Sequence, residues 1–373
     1  MGGRRIDWKR LAGASVAWLF AILAVQFFVR NLNEPMLLDF MSYWAAGKLV
    51  LAGTPAAAFD IAAHRAVQET VLGTVKGIMP FPYPPPFLMP LTPFAALPYF
   101  AAFAAWVIAT GLFYLRVALR FADVPYAAAQ PAVLINGLIG QNGFLTAGIF
   151  MAGAARLTQR PFLAGAILGT LVIKPQLALL LPVAVIAARA WPAIAGAALS
   201  AGGLLLAALL AFGWESYAAF LKLLPQYGAW MAEDRFSWKE FASPFAFCRF
   251  LGIPASTALA VQLAAATVAA LLCWIAWRDR WEARVVVLCT GSLLVSPYLQ
   301  AYDTLLMIVP IAWWLQRRPG LSASLWLLCF LPVAGHLELW SGPDTSPLAA
   351  MLALGMVWHE RRGTEREEVL APA

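Results

Sequence analysis

Asp39 and Tyr43 lie four residues apart in Leu38-Asp39-Phe40-Met41-Ser42-Tyr43-Trp44, a spacing that stacks them one turn apart on a single helix face. A carboxylate beside Phe40, Tyr43 and Trp44 loses water, which makes it a better base toward a hydroxyl. The plainer role is a helix N-cap, a position Asp favours. Lys174, in Ile173-Lys174-Pro175-Gln176, interrupts two short apolar runs and needs an anionic partner. That partner is either the phosphate of a lipid, for which lysine is a point charge, or a structural carboxylate. Gln176, Gln141 and Asn142 sit in polar turns and could hydrogen-bond phosphate or sugar. Arg65 could clamp a phosphate or belong to a solvated helix, and His64 stands beside it. His336 is a candidate proton carrier near neutral pH, with Glu338 two residues on, or an interfacial histidine beside Trp340. Tyr83 belongs to a proline-aromatic run. Asp303, after Tyr302, is either a helix cap or a ligand for sugar hydroxyls.

Several chemistries are missing. His64, His336 and His359 form no HExxH motif and no three-histidine zinc cluster, and no P-loop or nucleotide-cradling glycine pair follows a strand. Cys248, Cys273, Cys289 and Cys329 make no CxxC pair and read as buried small hydrophobes. No metal or cofactor is expected. The net charge of +7 does not point to nucleic acid, because the arginines cluster in short loops as topology signals do.

The elements that carry these residues are membrane helices. Of 373 residues, 62% are hydrophobic and 12% charged, about half the charge of a soluble domain, and the mean hydropathy is +0.74. No alternating barrel pattern appears, and backbone groups in lipid must be satisfied internally, so the chain is an all-α polytopic membrane protein. It reads as a single domain over 1–373 with about twelve hydrophobic segments, some re-entrant. Arg4, Arg5, Lys9 and Arg10 place the N-terminus in the cytoplasm, and the run 11–29 is a retained first helix rather than a signal peptide. Asp39 then falls on the outer side. Residues 31–98 form a structured first outer segment with an amphipathic piece (39–51), a Gly53-Thr54-Pro55 break and a second helical piece. Four prolines within Pro82-Tyr83-Pro84-Pro85-Pro86 exclude a regular helix and predict an extended, rigid wall. A run over 127–140 is expected to pass outward. The short runs 161–173 and 177–188 suit a protein-lined cavity better than lipid contact. A second outer segment, 213–252, is rich in Trp and Tyr, as interfacial helices are. Arginines mark the inner turns, and residues 359–373 form a charged cytoplasmic tail. Nearly every unusual polar group lands on the outer face.

The ordered motifs are specific as a set. They are Asp39-Phe40-x-x-Tyr43-x-x-Ala46-Gly47; Phe81-x-Tyr83-Pro84-Pro85-Pro86-Phe87; Gly140-Gln141-Asn142-Gly143; Arg160-Pro161-x-x-Ala164-Gly165; Ile173-Lys174-Pro175-Gln176; and Ser296-Pro297-Tyr298 with Tyr302-Asp303. Together they resemble glycosyltransferase family 87, the polyprenol-phosphate-mannose-dependent mannosyltransferase-like group of the GT-C superfamily, from about residue 35 to 310. The resemblance implies a GT-C membrane fold in a bacterial plasma membrane, with its active site on the extracytoplasmic side. It implies a polyprenyl-phosphate sugar donor, typically mannose, an inverting reaction and an envelope lipid or glycan as acceptor. An acidic residue of the first outer loop is the catalytic base in such enzymes, which carries onto Asp39. Lys174 would fall near the donor phosphate, with Arg65 and Gln176 as further phosphate ligands. A late histidine assists in one member, and His336 is the local candidate. Tyr43, His64, Tyr83, Gln141, Asn142, Tyr302, Asp303 and Glu338 remain for sugar or acceptor, in a chain expected to act as a monomer. The rival class is a transporter or flippase of lipid or lipid-linked sugar, which should show polar groups reachable from both faces.

Overall fold

The computed structural model describes residues 7–33, 35–36, 38–74, 79–335 and 339–370. Among them the chain is all helix, with one isolated antiparallel bridge, between Phe241 and Gln300. In chain order the helices are α1 (Trp8–Asn33), α2 (Asp39–Leu51), α3 (Ile61–Leu72), α4 (Leu88–Ala95), α5 (Tyr99–Ala118), α6 (Val124–Ala128), α7 (Pro131–Ile139), α8 (Gly143–Ala154), α9 (Pro161–Gly169) and α10 (Leu181–Ala187). They continue with α11 (Trp191–Ala232), α12 (Pro244–Phe250), α13 (Ala255–Arg278), α14 (Arg284–Val295), α15 (Ile308–Arg317), α16 (Pro319–Gly335) and α17 (Ser346–Leu370).

Four helices are long and apolar enough to cross a membrane: Lys9–Asn33, Tyr99–Ala118, Trp191–Met231 and Ala255–Arg278. Their outward faces carry exposed Trp18, Val25, Ile108, Leu112, Leu199, Leu210, Leu263 and Leu271, side chains that suit lipid and not water. The chain is therefore a multi-pass membrane protein. Shorter apolar helices, α8, α14 and α16 among them, pack inside. The expected outward passage over 127–140 is corrected. It breaks at Gln130 into α6 and α7, and the nine residues of α7 reach only about 14 Å at 1.5 Å per residue, half the hydrocarbon core. Its backbone is buried in protein instead.

The described residues of segment 31–98 fold largely as their sequence demands. Helix α2 is buried nearly all round, ends at the Gly53-Thr54-Pro55 break and gives way to α3, capped by Asp60. The proline wall is extended only as far as Pro84. Pro85–Phe87 then turn as a 3-10 helix into α4, because Pro is tolerated in a first helical turn. The pair around Lys174 appears as expected: α9, a 3-10 turn over Thr170–Ile173, Lys174, a second turn over Pro175–Ala178, then α10. At Gly213 (φ 75°, ψ 166°) α11 kinks, which separates its apolar half from the Trp- and Tyr-bearing half.

One glycine positions the site. Gly140 closes α7 in the left-handed conformation (φ 68°) and delivers Gln141 into the centre. A methyl group there would lie 2.7 Å from both Phe40 and Phe103. Gly140→Ala is expected to cost about 2–5 kcal/mol, the left-handed penalty plus overpacking. Gly202→Ala, which meets open space, should leave stability unchanged. The thermal midpoint of the purified protein in nanodiscs reads both. An unchanged midpoint for Gly140→Ala contradicts the packing described.

Candidate active site

Asp39 occupies the first turn of α2 without capping it. Leu38 holds the N-cap position, with no side-chain cap bond. The carboxylate instead accepts a hydrogen bond from Gln141 Nε2 at 2.9 Å, and the N-terminal end of α2 favours its negative charge. The Gln141 Oε1 accepts from the Tyr43 hydroxyl and, at 3.0 Å, from the Asn142 backbone N–H. Tyr43 also reaches the Tyr83 hydroxyl at 3.0 Å. Burial first, then Tyr83 and the Asp39 charge, push the Tyr43 phenol well above its ordinary pKa, so it stays a donor. One amide thus orients Asp39 and links it to two tyrosines.

The wall behind is stiff. Phe81 stacks on Phe87 (centroids 6.1 Å apart, 7° between planes), and Ser42 Oγ donates to Pro80 O at 2.7 Å. Phe40 makes edge contacts with Tyr43 and Phe103, and Trp44 Nε1 donates to Leu97 O at 3.0 Å. Buried aromatics in few rotamers hold α2 against α4 and α5.

In front of Asp39 lies a cavity of about 380 Å³. Tyr43, Tyr83 and Gln141 line it together with Tyr302, Gln300, Tyr227 and Glu240. Its walls come from five distant parts of the chain, and its polar groups are hydroxyls, amides and two carboxylates. Such a lining suits a hydroxyl-rich ligand. Sequence reasoning had not singled out Glu240 or Gln300. The signal for Glu240 was its place in the Trp- and Tyr-dense segment 213–252, but nothing local tied it to a residue 201 positions earlier. Burial raises the Glu240 pKa, with the adjacent Lys239 pulling the other way. The surrounding protein thins its solvation, yet the residue is exposed and opens onto the cavity.

Lys174 is 1% exposed and forms an ion pair with Asp303 Oδ1. It donates to Asn142 Oδ1 at 3.1 Å and lies 4.4 Å from the centroid of the Tyr302 ring. Its partner is therefore the carboxylate that the sequence left open, one layer behind the cavity surface. Asp303 is engaged on both oxygens, since Oδ2 accepts the Gln300 N–H at 3.2 Å. Asp303 thus closes the turn and faces no ligand. Asn142 likewise backs the cavity rather than lining it.

The structure separates other expected residues from Asp39. Arg65 lines a different hollow, of about 600 Å³, with Asp60, Glu69, Lys222 and Gln226. His64 is buried beside Phe81, and neither ring nitrogen finds a hydrogen-bond partner among the described residues. Burial lowers its pKa to about 4, so it is neutral and does not reach the cavity as a sugar ligand. Gln176 is half-buried on the Pro175–Ala178 turn, away from the cavity lining. His336 and Glu338 lie outside the described residues. Among the described residues no group of His, Cys, Asp and Glu could hold a metal ion.

The family described as Glycosyltransferase family 87 matches residues 81–297, more than half of the chain. The matched segment holds Tyr83, Gln141, Lys174, Tyr227 and Glu240, and Asp39 precedes it. No curated protein and no solved structure matches.

Breaking the buried ion pair should be severe. Lys174→Met leaves Asp303 buried without its counter-charge, and a loss of about 3–5 kcal/mol is expected, read as a lowered thermal midpoint. Lys174→Met combined with Asp303→Leu should recover part of it. A single variant as stable as the wild type contradicts the pairing.

Proposed function

We propose that this chain, which belongs to glycosyltransferase family 87, moves a sugar from a polyprenyl-phosphate donor to a hydroxyl of an envelope lipid or glycan, with Asp39 as general base. The observation that carries the reading is the Asp39 carboxylate, held by Gln141 at the wall of a cavity lined by tyrosines and amides. Mannose is the sugar that the family resemblance favours. The chain is read as one GT-C unit of about twelve hydrophobic segments in a bacterial plasma membrane. Both termini are cytoplasmic, because arginines mark the inner turns, and the cavity is extracytoplasmic. The chain is read as acting as a monomer.

In this reaction the acceptor hydroxyl gives its proton to Asp39 as its oxygen attacks the anomeric carbon. The bond from that carbon to the phosphate oxygen breaks, and its electron pair leaves with the lipid phosphate. The leaving group is already an anion and needs no acid. It needs charge stabilisation and hydrogen bonds. The hydroxyls of Tyr227 and Tyr302 are the donors assigned to it. Tyr227 lines the cavity and its phenol is a donor. Lys174, its charge paired with Asp303, is assigned the support of Tyr302 from below. His336 remains the candidate assistant to Asp39.

Transfer of labelled mannose from polyprenyl-phosphate mannose, by protein in nanodiscs, tests the reading. Asp39→Asn keeps the shape and removes the base, so kcat should fall by about 10²–10⁴. Equal turnover in both proteins would remove Asp39 from the chemistry. Movement of the lipid-linked sugar across the bilayer with no transfer would favour a transporter.

A further inference from the structure

Glu240 lines the Asp39 cavity and also a neighbouring recess of about 140 Å³, where it meets Lys239, Trp340, Gly335 and Gly342. The main chain around it is clamped. Phe241 bridges Gln300, Ala242 N–H donates to Leu299 O at 2.8 Å, and Ser243 Oγ donates to Pro297 O at 2.9 Å. The Glu240 carboxylate itself makes no hydrogen bond among the described residues, and Lys239 and Tyr227 are its electrostatic neighbours. Glu240 is exposed, so water solvates its carboxylate, and the rooted backbone holds it at a hollow where a ligand hydroxyl can take the place of that water.

The rest of the recess says what ligand. The Trp340 indole N–H is committed to Pro343 O at 3.1 Å, which fixes the ring and leaves a flat apolar face. Gly342 lies so close to that ring that a methyl group there would sit 2.2 Å from it, so the floor is bare backbone. An aromatic face, a carboxylate and an ammonium together match a pyranose ring, which has C–H bonds on one face and hydroxyls around its edge. A phosphate group would meet the Glu240 charge. A purely apolar chain would leave both ionic groups without partners. The volume is well below the roughly 300–1,000 Å³ of a whole-ligand pocket, so it takes one ring. Asp39, Tyr227 and Glu240 all line the one larger cavity.

We propose that Glu240, Lys239 and Trp340 form an acceptor subsite that holds a pyranose ring, so that the acceptor is a glycan and one of its hydroxyls is presented to Asp39. This rests on the glycosyl-transfer reading above, but the subsite binds sugar whether or not transfer occurs. Saturation-transfer NMR with methyl α-D-mannopyranoside as the probe, on protein in nanodiscs, reads binding alone. Wild type should saturate the ring protons. Glu240→Ala and Trp340→Ala should each weaken the signal at least about fivefold while keeping the wild-type thermal midpoint, and Glu240→Gln should keep part of it. In the transfer assay with a mannoside acceptor, Glu240→Ala should raise the acceptor KM about tenfold with a smaller change in kcat. The proposal is overturned if the wild type gives no ring saturation, or if both alanine variants saturate as strongly as wild type. It is also overturned if Glu240→Ala lowers kcat and leaves the acceptor KM unchanged. A transfer reaction that ignores Asp39→Asn while these binding losses persist would reject the base and keep the subsite.

Discussion

The buried pair of Lys174 and Asp303 ties the site together. Two opposite charges that are 1% exposed hold only if each satisfies the other and the remaining donors and acceptors find partners. Here they do. Lys174 reaches Asn142, whose neighbour Gln141 holds Asp39. Asp303 closes the turn that begins at Gln300, and Gln300 is bridged to Phe241, beside Glu240. Tyr302 covers the ammonium and faces the cavity. The two carboxylates that line the cavity, Asp39 and Glu240, therefore hang from the same pair.

That arrangement needs the short helices. A polar turn such as Ile173-Lys174-Pro175 cannot face lipid, because its backbone groups would go unsatisfied. α9, α10 and α7 stop part-way and are wrapped by long helices such as α5, α11 and α13. The long helices meet lipid with their leucines, and the short ones bring polar ends together in protein. Gly213 then bends α11, so its Tyr227-bearing half can close over the cavity.

Much of this was legible locally. The extent of α2, the break at Gly53-Thr54-Pro55, the change of character at Gly213 and the interrupted helices around Lys174 all follow from patterns a few residues long. Local patterns also placed Asp39, Tyr43, Tyr83, Gln141 and Tyr302, which share one cavity. What stayed illegible is pairing over distance. Lys174 and Asp303 are 129 residues apart, and nothing near either says that it takes the other rather than a phosphate. His64 and Arg65 are adjacent in sequence, but successive residues of a helix point about 100° apart. One is buried behind the aromatic wall and the other lines a separate hollow. Glu240 resembled any solvated glutamate until the bridge to Gln300 brought it opposite Asp39.

The chemistry assigned here has one carboxylate acting as base on the acceptor and no protein nucleophile, so the sugar is displaced once, from the face opposite the phosphate. The most direct measurement is the anomeric configuration of the product, read by NMR after transfer from a polyprenyl-phosphate mannose of a single defined anomer. A product of opposite anomeric configuration is predicted. A product that retains the donor's configuration would require a covalent or otherwise doubly displaced path, and would contradict Asp39 acting as base in a single displacement.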